Sequence, residues 1–409
     1  MKFATFVLAS ATAAKQSVLS LSEHERAILG ADLATWEQQF GAIALEKGLL
    51  PHSNTESVLS DKEFVDDKLQ RLLDTQLATE EARLVNPDAE FDWKNQFALL
   101  NEDEFKQYVS VSFSQGNQHL RQAKEVNVPE PAVKAASVDW TTKCNPPVRN
   151  QGSCGSCWAH AAVGVAEAGH CLATGQLLSL SVQQVTSCST QGGSAGCQGG
   201  FPWYAIDYTA QGLCLDSDWP YAAQTGSCNR QCNKQQLSIG SSVRTSGESG
   251  LSNALNNQPV AVVVEAGNNV WKNYRGGVVS QCPGAQSDHA VIAVGYDGES
   301  FKIKNSWGAG WGENGYIRLA RNGGGSGTCN VVEAPSFPQL SAKPQPPSPP
   351  TKSPSPPTPP PRPTSASPSP PGPGCGDRHN VCFWPITGQT VAFSQSQCAQ
   401  FAGTFVWCP

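Results

Sequence analysis

The chain has 409 residues, 15 cysteines and a formal net charge of −6. This length exceeds one typical compact domain, so we expect more than one folded unit. The modest negative charge and the lack of a basic cluster argue against nucleic acid or an anionic membrane as a partner.

The first 14 residues have the pattern of a secretory signal peptide. Lys2 precedes a short apolar stretch that ends in the small residues Ala11, Thr12 and Ala13, as at signal-peptidase sites. No other apolar run is long enough to span a bilayer. We therefore predict a soluble mature protein with no membrane span, which is secreted or directed to a vacuole or lysosome.

Residues 15–135 lack cysteine and carry apolar side chains at helical spacing, as at Phe64, Leu69, Leu72, Leu73 and Leu77. Recurrence at intervals of three and four residues predicts amphipathic helices. The spacing alone leaves open whether this charged stretch has its own function or is only a spacer.

The cysteines divide into eleven between Cys144 and Cys329 and four after residue 374. In an exported chain they predict a disulfide framework, and the odd total leaves at least one thiol outside it. If that thiol is Cys157, even sets of ten and four remain. Metal binding is the alternative, but convincing paired Cys-x-x-Cys spacing is lacking outside the nucleophile loop, and the tryptophan and glycine context of Cys154 and Cys157 points elsewhere. We therefore expect no metal and no cofactor.

Cys157 lies where the glycine-rich loop of residues 151–156 is predicted to turn into a helix that continues to about Ala173. The unpaired N–H groups and the positive dipole end of a helix start favour a thiolate over a thiol. We therefore predict that Cys157 is a nucleophile. A disulfide at Cys157 is the alternative, and the cysteine count opposes it.

A thiolate nucleophile needs a base and a group that orients the base. The candidates, which are singled out by the family resemblance given below, are His289 and Asn305; an ordinary packed histidine and an asparagine in a turn are the alternatives. Alternating or β-branched runs at 260–264 and 289–294 predict strands. A helical first half and a strand-rich second half predict an α+β fold with a cleft between the halves.

Four segments match one family in the same order. They are Pro-Val-Arg-Asn-Gln (147–151), Gly-Cys-Gln-Gly-Gly-Phe-Pro-Trp (196–203), Asp-His-Ala-Val (288–291) and Lys-Asn-Ser-Trp-Gly (304–308). On these motifs, residues 138–338 resemble a papain-like cysteine peptidase. The resemblance implies a two-lobed papain-like fold for residues 136–340. Cys157 would lie on the helical wall of the cleft, and His289 and Asn305 on the β-barrel-like wall.

The resemblance also implies a role for each polar group. Cys157 would attack the peptide carbonyl, and His289 would carry the proton. Asn305 would orient the imidazole, as the aspartate does in a serine protease. The side chain of Gln151 and the backbone N–H of Cys157 would form the oxyanion hole.

Substrate-binding positions follow from the same resemblance. Gly199 and Gly200 would let a peptide backbone approach and pair as an added strand. Trp307 would shield the histidine–asparagine hydrogen bond, and Trp311 would line the leaving-group side. The pocket for the side chain two residues before the cut (P2) would be apolar and prefer Leu, Val or Phe, unless the neighbouring Glu333 turns inward. Its walls would be Phe201, Pro202, Val263, Ala290 and Ala334.

Residues 15–135 contain elements similar to inhibitory propeptides of papain-type peptidases, namely Asn95-x-Phe97-Ala98 and Glu104-Phe105. The chain would then be a zymogen that binds its own propeptide as an inhibitor. Activation would cut the chain near residues 130–137.

Disulfide connectivity is implied by the resemblance and is not fixed by the sequence. The implied pairs are Cys154–Cys197, Cys188–Cys228, Cys282–Cys329, Cys144–Cys171 and Cys214–Cys232. The connectivity of the four tail cysteines stays open.

After the peptidase-like part, residues 341–374 are dominated by Pro, Ser and Thr, which predicts an extended linker. Residues 375–409 are too few to fold without their cysteines, so we predict a small module held by two cross-links. Its six Phe and Trp residues form the core or, alternatively, bind a carbohydrate or another surface.

Two alternatives to an endopeptidase remain. The nucleophile is followed three residues later by His160, and cathepsin X, a carboxypeptidase, has a histidine at the same position. However, the loops after Gln151 and Trp203 are too short to narrow the cleft as exopeptidase insertions do. The second alternative is an inactive peptidase relative that acts as a binding protein, as a scaffold for the aromatic C-terminal tail.

Overall fold

The computed structural model describes residues 16–51, 61–110, 128, 135–340, 381–384, 389–391 and 406–408. Contacts divide the chain into two units, Met1–Pro346 and Pro347–Pro409. The predicted signal peptide and the predicted linker lie outside the described residues. Within the described residues, no helix combines the length and the apolar character needed to cross a membrane.

The N-terminal segment, of which residues 16–51 and 61–110 are described, contains helices, as its apolar spacing predicts. It contains α1 (Glu23–Glu46), α2 (Asp61–Val85), strand β1 (Ala89–Phe91) and α3 (Glu102–Ser110). Ser22 begins α1 with a reciprocal capping box to Glu25. The buried Trp36 of α1 donates a hydrogen bond to the Asn95 carbonyl at 2.7 Å. The helices are therefore tied to the loop that precedes α3.

The central part (residues 135–340) begins with its helices. They are α4 (Cys157–Thr174), α5 (Val182–Cys188) and α6 (Pro202–Thr209). Helix α4 is buried from Cys157 to Cys171, because it lies between α6 and the sheet. A Cβ on Gly164 would lie 2.4 Å from Ile292 Cδ1, so the helix touches the sheet closely there.

Glu167 is fully buried on α4, and its carboxylate accepts three hydrogen bonds. Two carboxylate–guanidinium hydrogen bonds of 2.7 and 2.9 Å join it to Arg149, and the Leu180 N–H donates to it at 2.7 Å. Bidentate pairing and a third donor are what a buried carboxylate needs. This pair fastens the chain before the nucleophile loop to the helix after it.

The second half of the central part is a sheet. Its strands are β2 (Val138–Asp139), β3 (Ile239–Arg244), β4 (Val260–Val264), β5 (Tyr274–Val279), β6 (His289–Tyr296), β7 (Ser300–Lys304), β8 (Tyr316–Ala320) and β9 (Ser336–Leu340). The strand order is β1-β5-β8-β7-β6-β4-β9-β3, with β2 beside β6. Pairing is antiparallel except between β5 and β8. Helices α7 (Gly247–Leu255) and α8 (Asn269–Asn273) connect strands.

The N-terminal segment supplies one strand of this sheet. Strand β1 pairs with β5, with Ala89 opposite Gly277 and Phe91 opposite Tyr274. Gly277 has a φ of +77°, and a Cβ there would lie 2.3 Å from the Asp88 carbonyl oxygen. Only glycine suits both conditions.

Five disulfides cross-link residues 135–340. They join Cys144 to Cys171, Cys154 to Cys197, Cys188 to Cys228, Cys214 to Cys232, and Cys282 to Cys329. Cys157 takes part in none of them. The second unit has a small antiparallel sheet, in which β10 (Val381–Trp384) lies between β11 (Gln389–Val391) and β12 (Val406–Cys408). The side chains and cross-links of that unit lie outside the part of the chain that the structure describes.

Candidate active site

Cys157 begins helix α4 and is fully buried. The loop before it is fixed by the Cys154–Cys197 disulfide and by the Gly155 N–H, which donates to the Cys197 carbonyl at 3.1 Å. The Ala290 N–H approaches Cys157 Sγ at 3.3 Å. A helix start and a donor on sulfur both favour the thiolate. The contact also places the sulfur at the start of β6, where His289 lies.

His289 and Asn305 are joined by a hydrogen bond of 2.8 Å between Nε2 and Oδ1. The Ser306 N–H also donates to Asn305 Oδ1, at 2.8 Å. Because a backbone N–H can only donate, that atom must be the oxygen, and His289 Nε2 must carry a proton. The other ring nitrogen, Nδ1, is buried without a hydrogen-bond partner among the described residues. The remaining lone pair is therefore available for proton transfer.

Burial controls the charge of this imidazole. It lowers the pKa of His289 to about 4, and the hydrogen bond to Asn305 opposes that shift. A thiolate at Cys157 would add a second opposing effect, because a nearby negative charge favours the imidazolium. The histidine is thus neutral unless the thiol gives up its proton to it.

Aromatic rings enclose the histidine–asparagine pair. The Trp307 ring stacks on His289 with centroids 4.9 Å apart, and Trp311 lies edge-on to Trp307 at 5.1 Å. Sequence reasoning missed Trp271, whose ring stands edge-on to His289 at 6.3 Å and stacks on Trp311 at 5.7 Å. Trp271 lies in the short helix α8 just before β5, and its position gave no periodic signal. These rings keep water away from the hydrogen bond between His289 and Asn305.

Gln151 is fully buried beside the nucleophile loop. Its Nε2 donates to the Cys154 carbonyl at 3.1 Å, and its Oε1 accepts a hydrogen bond from Ser306 Oγ at 2.7 Å. The Gln151 N–H also donates to the Ser306 carbonyl at 2.8 Å. The amide is therefore fixed between the loop that carries Cys157 and the loop that carries Asn305. One of its two N–H donors remains for another acceptor.

His160 is turned into the protein rather than along its surface. It is 5% exposed, and its Nδ1 lies 3.1 Å from the Ser156 carbonyl, to which it donates. Burial lowers its pKa to about 3. The Tyr221 hydroxyl lies 2.5 Å from Ser156 Oγ and donates to the Gln151 carbonyl at 2.8 Å. Sequence reasoning did not find Ser156 and Tyr221, which link His160 to the nucleophile loop.

Predicted pocket residues from both halves belong to one buried apolar cluster. Val263 pairs with Ala290 across β4 and β6. Glu333 accepts a hydrogen bond from Ser287 Oγ at 2.5 Å, so its charge is engaged outside the apolar cluster. A Cβ on Gly200 would lie 2.6 Å from the Trp158 ring, so glycine is needed there. The buried cluster around these residues includes Phe201, Val263, Ala290 and Ala334, and Pro202 is buried next to it.

The N-terminal segment covers one side of the site. The Phe97 and Phe105 rings lie 5.5 and 5.7 Å from the Trp307 ring. Gln96 Nε2 donates to the Trp307 carbonyl at 3.2 Å, and Asn95 Nδ2 donates to Asn273 Oδ1 at 3.1 Å. The elements Asn95-x-Phe97-Ala98 and Glu104-Phe105 therefore lie at this contact. Most of the predicted activation region lies outside the described residues.

The described residues hold no group of three or more His, Cys, Asp or Glu side chains arranged to bind a metal ion. The site itself brings together the Cys157 thiol, the His289 imidazole and the amides of Asn305 and Gln151. Their arrangement suits nucleophilic attack by sulfur with proton transfer through the imidazole.

Comparisons with known proteins identify the family of the chain. Residues 134–339 match the family described as "Papain family cysteine protease". The chain is 38% identical to papain from Carica papaya over 258 residues. This alignment covers 60% of this chain and 72% of papain. The chain is also 38% identical over 274 residues to the oryzain beta chain of Oryza sativa subsp. japonica, and spans 57% of that protein and 62% of its own length.

A solved structure extends the similarity to the N-terminal segment. The proform of Amb a 11, a ragweed pollen cysteine protease, matches with a TM-score of 0.66 and 28% identity, over 78% of this chain and 94% of that chain. The match therefore includes helices before the central part as well as the papain-like fold itself. The family match, the identity to papain and the geometry of the site together establish that this chain belongs to the papain family of cysteine proteases.

Proposed function

We propose that the protein is the zymogen of a cysteine endopeptidase that uses Cys157, His289 and Asn305. The observation that carries this proposal is the meeting of three elements at one point. The start of α4 brings Cys157 Sγ to the Ala290 N–H, and His289 Nε2 bonds to Asn305 Oδ1 in the same place.

In the proposed reaction, Cys157 transfers its proton to His289, and the thiolate attacks the carbonyl carbon of the scissile peptide bond. The C–N bond then breaks as the imidazolium protonates the leaving amine, which leaves an acyl-thioester. Water, deprotonated by His289, attacks this thioester and releases the acid and the thiol. The second N–H of Gln151 and the backbone N–H of Cys157 would stabilise the oxyanion.

The proposed substrate is an extended peptide with an apolar side chain at P2. Its backbone would pair beside Gly199 and Gly200. The apolar cluster formed by Phe201, Val263 and Ala290 supports a preference for Leu, Val or Phe. The engagement of Glu333 with Ser287 supports the same preference.

We also propose the following organisation of the chain. Residues 1–14 are a signal peptide, 15–135 the inhibitory propeptide, 136–340 the peptidase, 341–374 a linker and 375–409 a C-terminal module. The proform similarity and the contacts of Phe97 and Phe105 with Trp307 support the inhibitory role. The protein would be secreted or vacuolar, and a carbohydrate or surface ligand of the module stays a prediction.

The decisive experiment is labelling of the processed protein with an epoxide inhibitor of thiol proteases, followed by peptide mapping. Modification at Cys157, and loss of both label and proteolysis in Cys157→Ala, are expected. Cleavage of a quenched peptide whose C-terminus is amidated separates an endopeptidase from a carboxypeptidase. A processed protein that neither takes the label nor cleaves any peptide would favour the binding-protein alternative.

A further inference from the structure

Lys272 is a peptidase residue whose ammonium group is enclosed by the propeptide. It lies on α8 and is 2% exposed. Its Nζ donates to Thr75 Oγ1 at 2.9 Å and to the Leu100 carbonyl at 2.6 Å. Among the described residues, both of its hydrogen-bond acceptors belong to the segment that activation would remove.

The charged groups that act on Lys272 also belong to the propeptide. Asp74, Glu102 and Glu104 attract the ammonium, and Arg71 repels it. Burial under the propeptide lowers the pKa of Lys272 to about 7, because desolvation disfavours the charged form. Removal of the propeptide therefore restores water to a cation and takes away the hydrogen-bond acceptors and carboxylates that faced it.

Lys272 lies next to the tryptophan residues that are expected to line the leaving-group side of the scissile bond. The preceding residue, Trp271, has its ring 6.1 Å from Trp307, and its carbonyl accepts a hydrogen bond from Trp311 Nε1 at 3.1 Å. The propeptide connects the same two points, since Phe97 lies on Trp307 and Leu100 binds Lys272. Three residues of chain span about 10 Å at most. The first or second substrate residue past the scissile bond, with the length of its side chain added, is therefore long enough to reach the ammonium.

We infer that Lys272 is a specificity residue of the mature enzyme, which binds an acidic side chain at the first or second position after the cut. This inference rests on the proposed peptidase function. A substrate carboxylate would replace the Leu100 carbonyl and the Thr75 hydroxyl as the acceptor for the three ammonium donors. The propeptide would thus mask the selective group until activation exposes it.

The test uses mature enzyme and pairs of quenched peptides with Leu at P2. Members of a pair differ only in Glu or Gln at the first or at the second position after the cut. At pH 5.5 and low salt, the Glu peptide of at least one pair should have a kcat/KM about fivefold higher, the scale of a single ion pair at a partly exposed site. The ratio should fall towards one in 0.5 M salt, because salt screens the attraction.

Three variants decide the assignment. Lys272→Gln should reduce the Glu/Gln ratio to about one, and Lys272→Arg should retain the preference. Lys143→Gln removes a charge from an exposed lysine and should leave the ratio unchanged. A preference for Glu that survives Lys272→Gln, or equal rates for Glu and Gln peptides with the unmodified enzyme, would overturn the inference.

A substrate with a coumarylamide leaving group separates this inference from the proposed function. It has no amino-acid residues after the cut, so cleavage of it by Lys272→Gln shows that the variant folds and keeps its catalytic groups. If the enzyme cleaves this substrate but shows no preference for Glu, the inference about Lys272 is wrong and the proposed function stands. If no substrate is cleaved at all, the proposed function itself is wrong.

Discussion

Replacement of Phe97 by alanine tests how the propeptide is held on the site. The Phe97 side chain is fully buried, and its ring lies 5.3 Å from Phe105, 5.3 Å from Tyr108 and 5.5 Å from Trp307. A buried Phe→Ala change costs about 3–5 kcal/mol of folding free energy. Each kcal/mol lowers the melting temperature of a unit of this size by about 2 °C. We therefore expect a decrease of roughly 6–10 °C.

The assay is calorimetric unfolding of the zymogen in a Cys157→Ser background, which prevents self-cleavage. Phe64→Ala is the matched control, since Phe64 lies half-buried on α2, and it should lower the melting temperature by less than about 2 °C. In the active background, Phe97→Ala should also speed processing at pH 5, while the mature enzyme is identical to that from the unmodified zymogen. Equal melting temperatures for the Phe97 and Phe64 variants would refute the docking argument.

Three more predictions concern the peptidase. Asn305→Ala should lower kcat on the order of 10²-fold with a smaller change in KM, because the His289 imidazole loses the acceptor that orients it. An unchanged kcat in steady-state assays would contradict this orienting role of Asn305. Arg149→Met leaves the buried Glu167 carboxylate without its cation, and it should lower the free energy of unfolding by denaturant by about 3–5 kcal/mol. Lys302→Met breaks a partly exposed ion pair and should lower that free energy by at most about 1 kcal/mol. Equal losses in the two variants would show that burial does not matter here. Burial raises the pKa of Asp288 to about 6 from an ordinary value near 4. The protonated Asp288 side chain therefore stabilises the fold below pH 4, and this stabilisation is lost as the pH rises through 6. Asp288→Asn should therefore stabilise the Cys157→Ser zymogen by about 2 kcal/mol at pH 7 and not at pH 4, and an equal gain at both pH values would exclude this titration.

The parts of the site that could be predicted were those with a local chemical signature. A thiol at the start of a helix, as at Cys157, has a meaning that depends on a few neighbouring residues. The partners His289 and Asn305 lie far along the chain, so their proximity came from family resemblance and not from spacing. The α+β class followed from periodicity, because helical and strand patterns occupy different halves of the sequence.

The parts that could not be predicted depend on which way side chains turn. Helical spacing placed Leu77 with the apolar residues of α2, yet its side chain is 38% exposed, because the packed face of the helix lies elsewhere. His160 turns inward to Ser156, and Trp271 joins the rings around His289. Lys272 is buried only because residues from a distant segment lie over it. A sequence pattern carries no information on such long-range burial.

The pairing of β1 with β5 has a consequence for the life of the enzyme after activation. Loss of the proposed propeptide would turn β5 from an interior strand into an edge strand, with amide and carbonyl groups newly open to water. Such an edge is a template on which another extended chain can assemble. The positive φ of Gly277 interrupts the regular run of these groups, so maturation exposes an edge that is already ill-suited to uncontrolled self-association.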